Sequence, residues 1–241
     1  MRHHQRMFNV PASVLVLIAI MVVIHLVRQL LPVPIDNWFV NAMAFNPARY
    51  GQSSLKFHIP GGDVAAFTSF ITHMFIHGDA THLMFNSAWF LACGGAIALR
   101  IGTVRFILFT AVTGIAGAIA FLLINFGQPI PVVGASGAIS GMMAGLLRFL
   151  FSAIDQGDVA ALRYAPRTIR LTPLKSALKD RRIQAVIAIW LGLNALAAFG
   201  LGGAQDAGAI AWEAHLGGFM AGLFLFGYFD LPRKKTIRLV H

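Results

Sequence analysis

The chain has 241 residues, of which 57% are hydrophobic and only 12% are charged, and its formal net charge is +10. Soluble domains carry about a quarter charged residues, so this composition excludes an ordinary soluble protein. Cys93 is the single cysteine, which excludes a disulfide framework. In a soluble protein the positive charge would suggest a nucleic-acid partner. Its distribution along this chain indicates membrane topology instead, and we expect no nucleic-acid partner.

Long apolar runs follow one another along the chain, and several approach the roughly 20 residues that cross a bilayer. The first run follows Arg2 and Arg6, and no small-residue cleavage site comes after it, so we interpret it as an uncleaved span. The sequence therefore predicts an all-α polytopic membrane protein. Its six predicted spans are residues 11–31, 81–99, 104–126, 134–151, 183–201 and 211–229.

The distribution of Lys and Arg predicts the orientation of these spans. With the N-terminus inside, segments 1–10, 100–105, 148–182 and 230–241 face the cytoplasm and carry 16 of the 19 basic residues. Positive residues favour the inner side of a membrane, so we expect both termini to be cytoplasmic. The basic residues of the inner loop 152–182 are explained by this orientation alone. The alternative is that they bind anionic lipid headgroups.

The first two spans are joined by a long, partly apolar outer loop, residues 32–80. Proline and glycine interrupt this loop, and it is too polar to cross the bilayer. Aromatic side chains favour the membrane interface, and the four that we place there are Trp38, Phe39, Phe45 and Tyr50. Near the outer end of the first span, Arg28 is expected to extend its guanidinium group to the same interface.

Four polar residues lie inside the predicted spans, where polar groups are costly and usually functional. His82 and Asn86 lie in the first two turns of the second span, Ser136 in the first turn of the fourth, and His215 in the second turn of the sixth. All three spans enter the membrane from the outside. The four side chains are therefore predicted to lie at one shallow depth near the outer face.

These four residues have complementary chemistry. A serine becomes a nucleophile when a histidine within hydrogen-bond reach takes its proton. His82 and Asn86 lie four residues apart, hence on one helical face, and both can donate hydrogen bonds to an oxyanion. For any one of them alone, a helix cap or an interhelical hydrogen bond is the commoner role. Together they favour a catalytic site.

Small residues recur at four-residue steps in the fourth and sixth spans. Such steps allow two helix backbones to approach closely. The residues concerned are Gly137, Gly141 and Gly145 in the fourth span and Ala214, Gly218 and Gly222 in the sixth. Close packing of the two spans would bring Ser136 and His215 together, and plain helix packing explains the same glycines equally well.

Three motifs carry a resemblance to a known family. "GASG" around Ser136, "HGDATHLMFN" at residues 77–86 and "AHLGGFMAG" at residues 214–222 resemble the motifs of the rhomboid family of intramembrane serine proteases. Each motif alone is modest, but together and in this order they are specific. The resemblance extends over about residues 11 to 229 and implies a six-transmembrane-helix rhomboid-like bundle.

The resemblance implies a role for each matching position. Ser136 would be the nucleophile and His215 the general base, while His82, Asn86 and the backbone N–H of Ser136 would form the oxyanion hole. Residues that match family positions thought to be structural are Gly134, Gly137, His77, Gly218 and Gly222.

The sequence departs from the family pattern at Ser140. Many bacterial members have a tyrosine there, one turn after the nucleophile and packed against the catalytic histidine, so the orientation of His215 is open. Glu213 does not share a face with His215, and we expect a Ser–His dyad without an acidic third member. We expect no cofactor and no metal, because His73, His77 and His82 lack an HExxH pattern.

The resemblance implies an endopeptidase that cleaves transmembrane segments of single-span or multi-span membrane proteins near the outer face of the lipid bilayer. Residues 11–229 would form the catalytic domain, between a cytoplasmic N-terminus (1–10) and a basic cytoplasmic tail (230–241), in the inner (cell) membrane of a bacterium. One alternative is a catalytically silent rhomboid-like binder of membrane proteins. A transporter is disfavoured because spans two, four and six are almost wholly apolar below the outer third.

Overall fold

The computed structural model describes residues 10–51, 59–199 and 210–230, and these residues form helices joined by short connections. The helices are α1 Ala12–Gln29, α2 Val33–Met43, α3 Gly62–Thr72, α4 Ala80–Ile101, α5 Thr103–Ile124, α6 Ser136–Asp155, α7 Ala161–Tyr164, α8 Leu174–Ala177, α9 Arg181–Ala198 and α10 Trp212–Phe229. Within the described part of the chain, the sole β pairing is an isolated antiparallel bridge between Phe45 and Val132. The all-α fold is confirmed.

Six long helices lie at the six predicted spans, with ends that differ by a few residues. Four of them, α1, α4, α5 and α6, are long and apolar enough to cross a membrane. The other two, α9 and α10, are each 18 residues long. Polar residues in their first turns, such as Arg181 and Glu213, lower their mean hydropathy. The polytopic membrane fold is therefore confirmed, whereas the count of six spans and their orientation remain predictions.

Some sequence-based expectations fall outside the described residues. These concern most of the predicted cytoplasmic N-terminus (1–9), part of the outer loop (52–58), the end of span five (200–201) and nearly all of the basic tail (231–241).

The outer loop is more structured than its sequence indicates. Its described residues, 32–51 and 59–80, contain α2, α3 and two 3-10 turns, Pro47–Tyr50 and His73–Phe75. Trp38 is 56% exposed, as expected of an interfacial residue, but Phe45 is fully buried. The interfacial prediction for Phe45 is wrong because its backbone pairs with Val132, which draws its ring into the core against Phe70.

Arg28 also differs from its expected position. Its guanidinium group is buried rather than extended to the interface, and it bonds the Asp36 carboxylate, with Nε 2.7 Å from Oδ1. A second hydrogen bond runs from Nη1 to the carbonyl oxygen of His77. A buried arginine is stabilised when its donors are paired in this way. Arg28 therefore ties α1 to α2 and to the segment that leads into α4.

Helix α6 is the centre of the bundle and packs against α4, α5 and α10. A Cβ atom placed on Gly218 would overlap the carbonyl oxygen of Gly137, and one on Gly222 would overlap that of Gly141. The two helix backbones are thus in direct contact over one turn. Since any side chain at these positions would separate them, the small residues at four-residue spacing determine how closely α6 and α10 approach.

Two buried arginines hold the inner loop against the bundle. Arg100 pairs through two nitrogens with the Asp230 carboxylate after α10, and its Nη1 donates to the carbonyl oxygen of Ile169 in the loop at 2.9 Å. Arg148 donates to the carbonyl oxygens of Thr172 in the loop and Leu223 in α10. These two cations are bound within the protein, so part of the basic charge near the inner loop stabilises the fold itself.

The contact between Gly222 and Gly141 predicts a large effect of a single methyl group. Gly222→Ala should lower the free energy of unfolding by about 1–3 kcal/mol, because the added Cβ forces α6 and α10 apart. Gly192→Ala is the matched control, since a Cβ at that position would meet no atom of another helix within 4 Å. Thermal unfolding of both variants in detergent would check this. Equal melting temperatures for the two variants would contradict the proposed backbone contact.

Candidate active site

Ser136 is the first residue of α6 but does not cap it. The N-cap is Ala135, which makes no side-chain hydrogen bond to the helix. The capping role that is common for a serine at a helix start therefore does not apply here. The first N–H groups of a helix have no intrahelical acceptor, and they lie at its positive end. Ser136 thus lies beside several backbone donors.

Ser136 opens on a cavity of about 500 Å³ that it shares with Asn86 of α4 and His215 of α10. The rest of the wall is mostly apolar and comes largely from α9, including Val186 and Trp190. Three of the four residues that the sequence placed at one depth therefore line a single cavity. His82 is not among the lining residues.

His82 instead packs against Gly134, just before α6. Gly134 has φ +108°, and a Cβ on it would lie 2.7 Å from Nε2 of His82. A side chain is thus excluded both by the backbone conformation and by the histidine ring. The N–H of Gly134 donates to the carbonyl oxygen of His73 at 2.9 Å. Glycine at this position lets α4 and the start of α6 meet.

Asn86 and His82 are connected through the α4 backbone. Asp79 caps α4 by accepting a hydrogen bond from the N–H of His82 at 2.8 Å, which positions the first turn. One turn later, Nδ2 of the buried Asn86 donates to the carbonyl oxygen of His82 at 3.0 Å. A carboxamide nitrogen has two hydrogens, so Asn86 retains one donor for another acceptor.

His73 and His77 lie in the segment before α4 and are both buried. Nδ1–H of His73 donates to the Ser69 carbonyl oxygen at 2.7 Å, and the His77 ring meets His82 edge to face at 5.1 Å between centroids. Burial lowers the pKa of His73 to about 4 and that of His77 to about 3, the latter aided by the nearby ring of His82. Both are neutral near pH 7. Within the described residues, no three His, Cys, Asp or Glu side chains are grouped to hold a metal ion.

His215 has a side-chain partner that the sequence analysis did not identify. Its Nδ1 lies 2.7 Å from Oδ1 of Asn194 on α9. Glu213 faces a different helix, where its carboxylate accepts from Asn125 of α5. Asn194 could have been noticed as an amide inside an apolar run, since polar residues within a span are uncommon and usually functional.

The chain is similar in sequence to known proteins of one family. The family model "Rhomboid domain" matches residues 65–232. The chain is 28% identical to "Rhomboid protease GluP" of Bacillus subtilis (strain 168) over 68% of its own length and 26% of that protein. It is 24% identical to "Rhomboid protease GlpG" of Yersinia pestis (strain Pestoides F) over 70% of its own length and 50% of that protein. The chain thus spans half or less of the length of these relatives.

The two buried histidines before α4 predict a loss of stability in acid. An unfolded histidine binds a proton near pH 6.5, whereas His73 and His77 do so only near pH 4 and 3 in the folded protein. Stability should therefore be fully present above pH 6.5 and fall as the pH drops towards 4, by about 1.4 kcal/mol per pH unit for each residue.

The measurement is the melting temperature in detergent between pH 4 and pH 8 for the wild type, His73→Gln and His77→Gln. Each substitution should reduce the slope. Thr68→Ala, on the exposed side of α3, serves as the control and should leave the slope unchanged. Slopes that are the same in all four proteins would show that these histidines are not the responsible groups.

Proposed function

The chain belongs to the rhomboid family, and we propose that it is an intramembrane serine endopeptidase with Ser136 as nucleophile and His215 as general base. The observation that carries this proposal is the cavity shared by Ser136, His215 and Asn86. It is supported by the direct backbone contact between α6 and α10, the helices that carry the serine and the histidine.

In the proposed reaction, the hydroxyl oxygen of Ser136 attacks the carbonyl carbon of the scissile peptide bond while Nε2 of His215 takes the hydroxyl proton. The imidazolium then gives that proton to the leaving amine, which departs as the bond breaks. Water, activated by the same histidine, hydrolyses the acyl-enzyme and frees Ser136. A neutral imidazole is required at the first step.

Hydrogen-bond donors must stabilise the negative charge that develops on the carbonyl oxygen of the scissile bond. The backbone N–H of Ser136, at the positive end of α6, supplies one. Asn86 lines the cavity and has one hydrogen of Nδ2 available. We propose that the His82 ring is a further donor to the oxyanion. Its ring lies against Gly134 and does not line the cavity, so it would have to turn towards Ser136 to make this hydrogen bond.

The cavity wall indicates what kind of substrate enters. Apolar side chains of α4, α6 and α9, including Phe85, Met143 and Leu193, line most of it. An apolar wall suits a transmembrane segment of a single-span or multi-span membrane protein. Such a segment hides its backbone in helical hydrogen bonds, so residues that destabilise a helix near the cleavage site should help it to enter.

We further propose a location and domain organisation. The protein lies in the inner membrane of a bacterium, with both termini in the cytoplasm and the active site near the outer face. Residues 11–229 form the catalytic domain. The proposal is supported by the distribution of Lys and Arg along the chain.

Purified protein in liposomes should cleave a single-span reporter, and Ser136→Ala and His215→Ala should each abolish cleavage. A fluorophosphonate probe should label the wild type but not Ser136→Ala, because the probe reacts with an activated serine. Cleavage is read by gel shift and labelling by fluorescence. A folded wild type that neither cleaves the reporter nor reacts with the probe would favour the catalytically silent membrane-protein binder.

Removal of the Asn86 donor should lower kcat by about 100-fold with little effect on KM, because the donor acts on charge that forms only in the transition state. The variant is Asn86→Ala. Ser87→Ala is the matched control, since Ser87 is the next residue on α4 and its hydroxyl has no hydrogen-bond partner among the described residues. A similar loss of kcat in both variants would argue against an oxyanion role for Asn86.

A further inference from the structure

We propose that Asn194 of α9 is a positioning residue that completes a Ser136–His215–Asn194 triad. The inference rests on the proposed protease function and adds a third member to its catalytic pair. Oδ1 of Asn194 lies 2.7 Å from Nδ1 of His215. Asn194 acts through the histidine and does not touch the reacting atoms.

The direction of this hydrogen bond follows from the second contact of Asn194. Nδ2 of Asn194 donates to the carbonyl oxygen of Trp190 at 2.8 Å, one helical turn earlier. Since a carbonyl oxygen cannot donate, this contact identifies Nδ2 as the atom that faces Trp190. The amide oxygen therefore faces His215.

The orientation of the amide determines where His215 carries its proton. An amide oxygen only accepts, so Nδ1 of His215 must be the protonated nitrogen of the neutral ring. Nε2 is then unprotonated and has a free lone pair. This is the tautomer in which Nε2 can take a proton from Ser136.

A second contact holds α9 in the position that this hydrogen bond requires. Trp190 lies one turn before Asn194, and Phe219 lies one turn after His215. Their rings stack with centroids 4.3 Å apart and an interplanar angle of 24°. The hydrogen bond and the stacked rings are thus adjacent contacts between the same two helices. Because residues four apart share a helical face, the ring contact keeps Asn194 opposite His215.

No other side chain described near His215 is placed to orient its ring through Nδ1, so we assign this role to Asn194. Ser140 lines the same cavity as His215 but has no ring that could pack against it, and Glu213 is bound to Asn125 at the C-cap of α5. Among the described residues, His82 of α4 is the titratable group on another helix that interacts electrostatically with His215. No carboxylate meets Nδ1 among the described residues. A neutral amide orients the ring and favours its charged form much less than a carboxylate would, so the ring stays available as a base.

The kinetic test compares Asn194→Ala and Asn194→Asp with the wild type on the single-span reporter between pH 5 and pH 9. Asn194→Ala should lower kcat by about tenfold or more and leave KM nearly unchanged, because the ring loses its fixed orientation. Asn194→Asp should keep most of kcat at high pH. The acid limb of its kcat–pH profile should move to higher pH by about one unit or more, since a carboxylate favours the imidazolium.

The matched control is Asn125→Ala, which removes another asparagine that joins α10 to a neighbouring helix. If Asn194 were merely structural, both alanine variants would lose thermal stability, and Asn194→Asp would keep the wild-type pH profile. That result would overturn the proposal, as would a wild-type kcat in Asn194→Ala.

A spectroscopic readout separates this inference from the proposed function. Nitrogen NMR of histidine-labelled protein, with His215→Ala to identify the signal among the nine histidines, reports the tautomer directly. The wild type should show Nδ1–H, and Asn194→Ala should show a mixture. A protein that fails to cleave but shows this change would refute the protease proposal and retain the positioning role. An unchanged signal in Asn194→Ala would refute the role of Asn194, whatever the activity.

Discussion

The direct backbone contact between α6 and α10 is the constraint on which the rest of the structure depends. Glycines at two successive turns of α10 lie against the carbonyl oxygens of Gly137 and Gly141. In a bilayer the hydrophobic effect does not drive helices together, so close packing of this kind supplies much of the attraction. Ser136 precedes the first of these contacts, and His215 lies one turn before Gly218. The same contact that stabilises the bundle therefore brings the serine and histidine helices together.

Polar groups inside the bundle are arranged around this contact. Arg28 at one end of the bundle, and Arg100 and Arg148 at the other, are buried and bonded to carboxylates or backbone carbonyls. Pairing makes their burial tolerable, whereas loss of one partner would leave an uncompensated charge. Through these contacts the outer loop and the inner loop are held to the helices, so the segment that carries His77 has a defined position relative to α4.

The site combines two kinds of support. The start of α6 is held by backbone contacts: Gly134 bonds the His73 carbonyl, and Val132 pairs with Phe45. His215, in contrast, is oriented by a side chain from α9, a helix whose single buried residue is Ile183. The proposed nucleophile is therefore positioned by the core of the bundle, and the proposed base is positioned by the contact between the core and a more exposed helix.

Much of this could be predicted from the sequence because it depends on position along one helix. The length and polarity of each run predicted the long helices to within a few residues, and with them the positions of His82, Asn86, Ser136 and His215 in the first two turns of their helices. Glycine spacing indicated close packing of the fourth and sixth spans. Each of these properties follows from the rise and period of an α-helix, which the order of residues determines.

What the sequence could not decide is which side chains meet. Phe45 and Arg28 were assigned to the interface by their residue type, yet pairing with Val132 and with Asp36 buries them. Asn194 is 21 residues from His215 along the chain, and its contact exists only because α9 lies beside α10. The sequence by itself determined the chemical character of the site residues and their positions along their helices. Only the tertiary structure decided their partners, because the rotation and proximity of neighbouring helices depend on packing over the whole bundle.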